Sequence, residues 1–149
     1  MKLRKAHSAD LEQVASWIPD AEACRLWAGP LVWFPFSLET LARDINFHHG
    51  HSYCLMAGAS LAAFGQLVKK GSGRCHLARI IVAPHLRGCG YGPRLCRELI
   101  QLARRTPCRV ISLHVYRDNP AALKLYRALG FREQPGQSTP ETCRMELEL

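Results

Sequence analysis

Two clusters in this chain hold residue types spaced for chemistry. The first is Arg87-Gly88-Cys89-Gly90-Tyr91-Gly92, with glycines at alternate positions. It follows a β-branched run, Ile80-Ile81-Val82, and precedes a stretch with Leu95, Leu99 and Leu102 on one face. Strand, glycine-rich turn and helix in that order present bare backbone N–H groups at a helix N-terminus, which holds anions and above all phosphate. Glycine suits such a turn because it adopts φ > 0 and lets a ligand approach the backbone. The second cluster runs from His114 through Asn119-Pro120-Ala121-Ala122 to Tyr126. His114 and His76 each lie on an expected strand.

Familiar phosphate loops are excluded. A P-loop needs Gly-Lys-Ser/Thr before its helix, and none is present. A dinucleotide fingerprint needs a third glycine where Pro93 stands.

The elements that position these residues follow from apolar periodicity. A strand is expected over 2–7. A helix capped by Ser8 or Asp10 carries Leu11, Val14 and Trp17 and ends at Pro19. A second helix covers Ala21–Trp27, and Ser37 opens a third over Leu38–Phe47. Between them lies an aromatic-rich segment, Trp27, Trp33, Phe34 and Phe36, either a loop packed on the core or the wall of an acceptor pocket. Ser52–Ala57 and Leu61–Lys69 form a hairpin around Gly58, and 74–82 is the next strand. The helix after the glycine turn ends before Pro107. Cys108–Val115 returns parallel to 74–82 through a crossover. Asn119 caps the last helix with Pro120 at its first position, and Gly130 ends it. Phe131 to Glu133 begins a short strand, and Thr142–Leu149 is read as a final edge strand. The length of 149 residues fits a single domain, 1–149.

Composition excludes several classes. No apolar run is long enough to span a bilayer, and the start lacks the apolar segment of a signal peptide, so the expected place is the cytoplasm. The seven cysteines show no Cys-x-x-Cys spacing and no metal pattern with histidine. Most read as reduced core residues, and Cys89 as either a reactive thiol or a contributor of its N–H alone. His48, His49 and His51 lack a supporting carboxylate and read as a solvated turn, so no metal is expected. The formal charge of +8 is spread without long basic runs, which suits a polyanionic small molecule better than nucleic acid.

Arg87-x-x-Gly90-x-Gly92, led in by Val82-Ala83-Pro84, resembles the acetyl-CoA signature of the GNAT superfamily of N-acetyltransferases. Residues 113–131, with Asn119-x-x-Ala122 and then Leu125-Tyr126-x-x-x-Gly130-Phe131, look like its second hallmark. The likeness covers residues 50–135 well, while the first 50 match in general layout.

The resemblance implies an α/β (α+β) fold: a mixed, mostly antiparallel sheet with a splayed central parallel strand pair, flanked by helices. It implies acetyl-CoA as co-substrate. The pantetheine arm would lie along Ile80, Ile81 and Val82, and the pyrophosphate on the N–H groups of Arg87, Gly88, Cys89, Gly90, Tyr91 and Gly92. Asn119 and Ala122 would flank the arm. Arg87 and Arg94 are candidates to assist the phosphates. The reaction would be direct attack of an amine, from a small molecule or peptide, on the thioester. A backbone N–H near Val82 would face the developing oxyanion. Tyr126 matches the general acid at the sulfur. Many members carry a glutamate on one of the two central strands, where this chain has His76 and His114, so either histidine or a water chain is the expected base. A non-catalytic acetyl-CoA-binding module is the competing reading, and a homodimer is an open expectation.

Overall fold

The computed structural model describes residues 1–149. Its strands are β1 (Lys2–Lys5), β2 (Ser52–Ala57), β3 (Ser60–Gly71), β4 (Arg74–Val82), β5 (Val110–Tyr116), β6 (Arg132–Glu133) and β7 (Thr142–Glu148). They form one sheet in the order β1-β2-β3-β4-β5-β7-β6. Every pairing is antiparallel except β4 with β5. The last long strand is therefore not an edge, as its sequence suggested. β7 lies between β5 and β6 and pairs with β5 along its whole length, while the two-residue β6 takes the edge.

Five helices cover the sheet: α1 (Ser8–Ala15), α2 (Ala21–Ala28), α3 (Leu38–Asp44), α4 (Tyr91–Arg104) and α5 (Pro120–Ala128). Side chains alternate across a strand, so each face carries its own core. Leu95, Leu99, Leu123 and Tyr126 of α4 and α5 pack on Leu55, Leu67, Leu77, Ile111 and Leu113. On the other face, Leu11, Val14, Cys24, Trp27 and Leu41 of α1 to α3 pack on Cys54, Leu61 and Phe64.

Local chemistry sets the helix ends. Ser37 caps α3, accepting from the Thr40 N–H at 3.1 Å. The cap of α1 is His7 rather than Ser8 or Asp10. Asp10 folds back to accept from the His7 N–H at 2.6 Å and is gripped by both Arg4 Nη atoms at 2.7 and 2.9 Å. Asn119 caps α5 through Oδ1, which accepts from the Ala122 N–H at 3.4 Å.

The feature that shapes the molecule is a bulge in β4. Phe64 pairs with Ile81 and Gln66 with Ala78, so Gly65 alone faces Arg79 and Ile80. Arg79 takes φ of 53°, in the left-handed region. A Cβ on Gly65 would lie 2.5 Å from Ile80 Cδ1 and 3.2 Å from the Leu95 and Leu99 methyls, so glycine is what admits Ile80 here. The Trp27 indole N–H donates to the Arg79 carbonyl at 3.0 Å and pins the bulge to α2. Beyond it β4 parts from β5. Their parallel pairing covers only Arg74–Val110, Cys75–Ile111 and His76–Ser112.

Candidate active site

The splay leaves the later half of β4 without a partner on its β5 side. A groove of about 1110 Å³ opens there and runs to the start of α4. Ile80, Ile81 and Val82 form its strand wall. Arg87, Gly88, Gly90, Tyr91 and Gly92 form one end, and Asn119, Ala122 and Tyr126 of the α5 segment face the strand. Cys89 is exposed and is not in the groove wall, with Sγ turned 3.7 Å from the Arg87 carbonyl.

The turn is built to present amides. Gly88 and Gly90 have φ of 76° and 87°, and open space lies where a Cβ would stand. Their requirement for glycine is conformational, not steric crowding by the protein. Neither N–H has a backbone acceptor. The first turn of α4 adds its own free N–H groups and the positive end of a 14-residue helix. Arg87, Arg97 and Lys124 bring cations to the same groove. Arg94 is turned to Glu98, at 2.9 Å. Arg97, not the expected Arg94, is the helix arginine that lines the groove.

A second cavity of about 510 Å³ lies on the other side of the splay, under α2 and the turn Gly29–Leu31. His76, His114, Arg79 and Tyr116 line it, and Tyr126, Ile80, Asn119 and Ala122 belong to both cavities. The aromatic segment thus divides. Trp27 is a wall of both cavities, Phe34 and Phe36 stack edge-to-face and pack on the core, and Trp33 stands 85 % exposed. Arg25 ties α2 over this chamber. It lies 4.6 Å over the Tyr116 ring and bonds Asp118 at 2.6 Å.

Tyr126 is buried against Phe131, ring centres 5.9 Å apart, at the junction of groove and chamber. Burial pushes its hydroxyl pKa well up, so it holds its proton at neutral pH. The rings of His76 and His114 are 5.2 Å apart. His76 Nδ1 lies 2.8 Å from Ser112 Oγ, which itself donates to the Cys75 carbonyl at 3.4 Å. Ser112 therefore accepts from Nδ1–H, and the Nε2 lone pair is left free. Burial, helped by His114 and the charges of Lys70, Arg144 and Arg79, pushes His76 down to about 4. His114 is lowered too, first by burial and then by Arg144 and Lys70.

A depressed histidine has a stability signature. The unfolded chain takes up a proton near pH 6.5, whereas folded His76 refuses it until about 4. Its contribution is therefore complete above pH 6.5 and is lost as pH falls toward 4. We expect urea unfolding to show roughly 2 kcal/mol less stability at pH 5 than at pH 7 from this group, and His76→Gln to shrink that difference. An equal drop in both proteins would contradict the assignment.

A strand edge left open beside an amide-lined turn can take an extended, phosphate-bearing ligand as an added strand. Fold and site together define an acyltransferase working from coenzyme A. The family model described as "Acetyltransferase (GNAT) family" matches residues 14–131, and the chain belongs to that family. It is an N-acetyltransferase, with acetyl-CoA as donor and an amine as acceptor. The chain is 32% identical over 121 residues to N-alpha-acetyltransferase RimI of Mycobacterium tuberculosis, covering 76% of this chain and 73% of that protein. It is 36% identical over 62 residues to a probable spermine N(1)-acetyltransferase of Bacillus subtilis subsp. natto, 41% of each. Spermidine N-acetyltransferase from Vibrio cholerae, solved with CoA and spermine, has the same fold at TM-score 0.80 and 20% identity, covering 99% of this chain and 94% of that one.

No three His, Cys, Asp or Glu side chains gather as a metal-holding group. No helix is long and apolar enough to cross a membrane.

Proposed function

We propose that this enzyme acetylates the α-amine at a peptide N-terminus, with Tyr126 as proton donor to sulfur and His76 as proton acceptor. The observation that carries this reading is that groove and chamber meet at Tyr126. The N-alpha-acetyltransferase match spans most of its relative, whereas the polyamine enzyme match spans under half. No carboxylate lines the chamber to receive the second ammonium of a polyamine.

The pantetheine arm lies along Ile80, Ile81 and Val82, flanked by Asn119 and Ala122. The pyrophosphate sits on the free amides of Gly88 and Gly90 and of the first turn of α4, while the Arg87 and Cys89 N–H groups donate to Pro84 and Leu86 within the turn; Arg87, Arg97 and Lys124 balance its charge. Acetyl-CoA supplies the acetyl group as a thioester: the amine nitrogen forms a C–N bond to the carbonyl carbon as the C–S bond breaks. The amine enters neutral, because the chamber walls carry positive charge. Its surplus proton becomes strongly acidic as the C–N bond forms and passes to His76 Nε2, directly or through water beside His114. The Tyr126 hydroxyl gives its proton to the departing sulfur and regains one from solvent. A backbone N–H near Val82 faces the developing oxyanion. The chain's free cysteines suit the reducing cytoplasm as its place of work.

Purified protein with acetyl-CoA should release CoA with N-terminal peptides and mark their α-amines in mass spectra. Turnover of polyamines alone would overturn the acceptor assignment.

A further inference from the structure

We propose that the acceptor also carries a carboxylate, received in the chamber by Arg79, with the charge of Arg144 behind His114 adding to the field. This rests on reading the chamber as the acceptor site. Two buried side-chain nitrogens in the molecule lack any hydrogen-bond partner: Arg79 Nε and Arg144 Nε. They flank the same histidine pair. Arg144 is registered opposite His114 across β5 and β7, and Arg79 follows His76 on β4 and lines the chamber.

Arg79 has no counter-ion, and Arg144 shares its own with another arginine. Arg79 donates from Nη1 to the neutral Gln66 Oε1 at 2.8 Å and joins no salt bridge. Gln66 cannot turn away, since its Nε2 donates to the Ile45 carbonyl at 2.9 Å and to Ser52 Oγ at 3.0 Å. Arg144 reaches Glu146 at 3.2 Å, but that carboxylate already holds Arg74. One acid therefore serves two arginines, and Arg79 is left with none. A buried guanidinium without a partner is costly, and the cost is relieved when a ligand brings the anion. A guanidinium also has the planar fork that matches a carboxylate. Burial is the main cause of the lowered titration of His76, and the positive charges of His114, Lys70, Arg144 and Arg79 add to it.

At about 510 Å³ the chamber suits a ligand of small-molecule size, such as one or two residues. The carboxylate then comes from a free amino acid or from an acidic side chain at the start of a peptide.

Three substrate pairs separate these sources at saturating acetyl-CoA: a peptide with Glu against Gln at its second position, a free amino acid against its amide, and δ-aminovalerate against cadaverine. We expect the carboxylate member of at least one pair to show kcat/KM about tenfold higher or more. Arg79→Gln should bring that ratio toward one, and Arg79→Lys, which keeps the charge, should retain part of it. Arg144→Gln should lower it less. Ratios near one in all three pairs, or a preference that survives Arg79→Gln, would overturn the proposal. Activity on δ-aminovalerate without activity on any α-amine would remove the α-amine reading and leave this one standing.

Discussion

Tyr126→Phe lowers the single-turnover rate by roughly 10²-fold or more, while acetyl-CoA affinity changes by no more than a few-fold. The hydroxyl makes no hydrogen bond to protein, so its removal orphans no partner. The ring stays seated against Phe131 in the α4–α5 core. Phenylalanine therefore isolates the proton. Burial raises the pKa of this hydroxyl, which keeps it protonated at neutral pH and able to donate to the departing sulfur. Rapid-quench measurement with saturating acceptor separates the chemical step from product release. An unchanged rate would assign protonation of sulfur to water.

Trp27→Ala is the substitution expected to damage the fold most. Trp27 is buried, tilts against Phe64 at 6.4 Å and bonds the bulge carbonyl of Arg79. Loss of such a side chain costs about 3–5 kcal/mol, a large share of the stability of an ordinary domain. Trp27→Phe keeps most of the apolar area and removes the N–H donor, at a cost of about 1–3 kcal/mol. Because Trp27 walls both cavities, the Phe variant should also raise KM for acetyl-CoA. Urea unfolding and steady-state kinetics read the two effects separately. Full stability with a normal KM in the Phe variant would show that α2 does not hold the bulge.

Much of this was legible in the chain. β2 and β4 span the residues their periodicity marked, α4 follows the glycine turn and ends before Pro107, and Asn119 caps α5. Local chemistry sets all of these. What stayed hidden depends on distant contacts. Arg79 reads as an ordinary charge on a strand, since no Gly, Asn or Asp announces φ > 0 there. Its burial comes from α2 and Gln66, far away in sequence. One signal was available in Gly65, a glycine inside an apolar strand, which marks a bulge or a close approach. The α1 cap was misplaced because Arg4 recruits Asp10 from outside the helix. β7 was misplaced because, although a short strand was expected at Phe131 to Glu133, its pairing outside β7 is a tertiary contact that periodicity does not show.

The groove is also a place where both cores contribute walls. Trp17, Ile18, Trp27 and Leu86 on its walls belong to one core, and Val82, Tyr91, Leu125 and Tyr126 to the other. A cofactor seated there acts as a keystone between the two packing units. Its binding energy then becomes cohesion of the whole molecule, and the step that loads the enzyme also stiffens it.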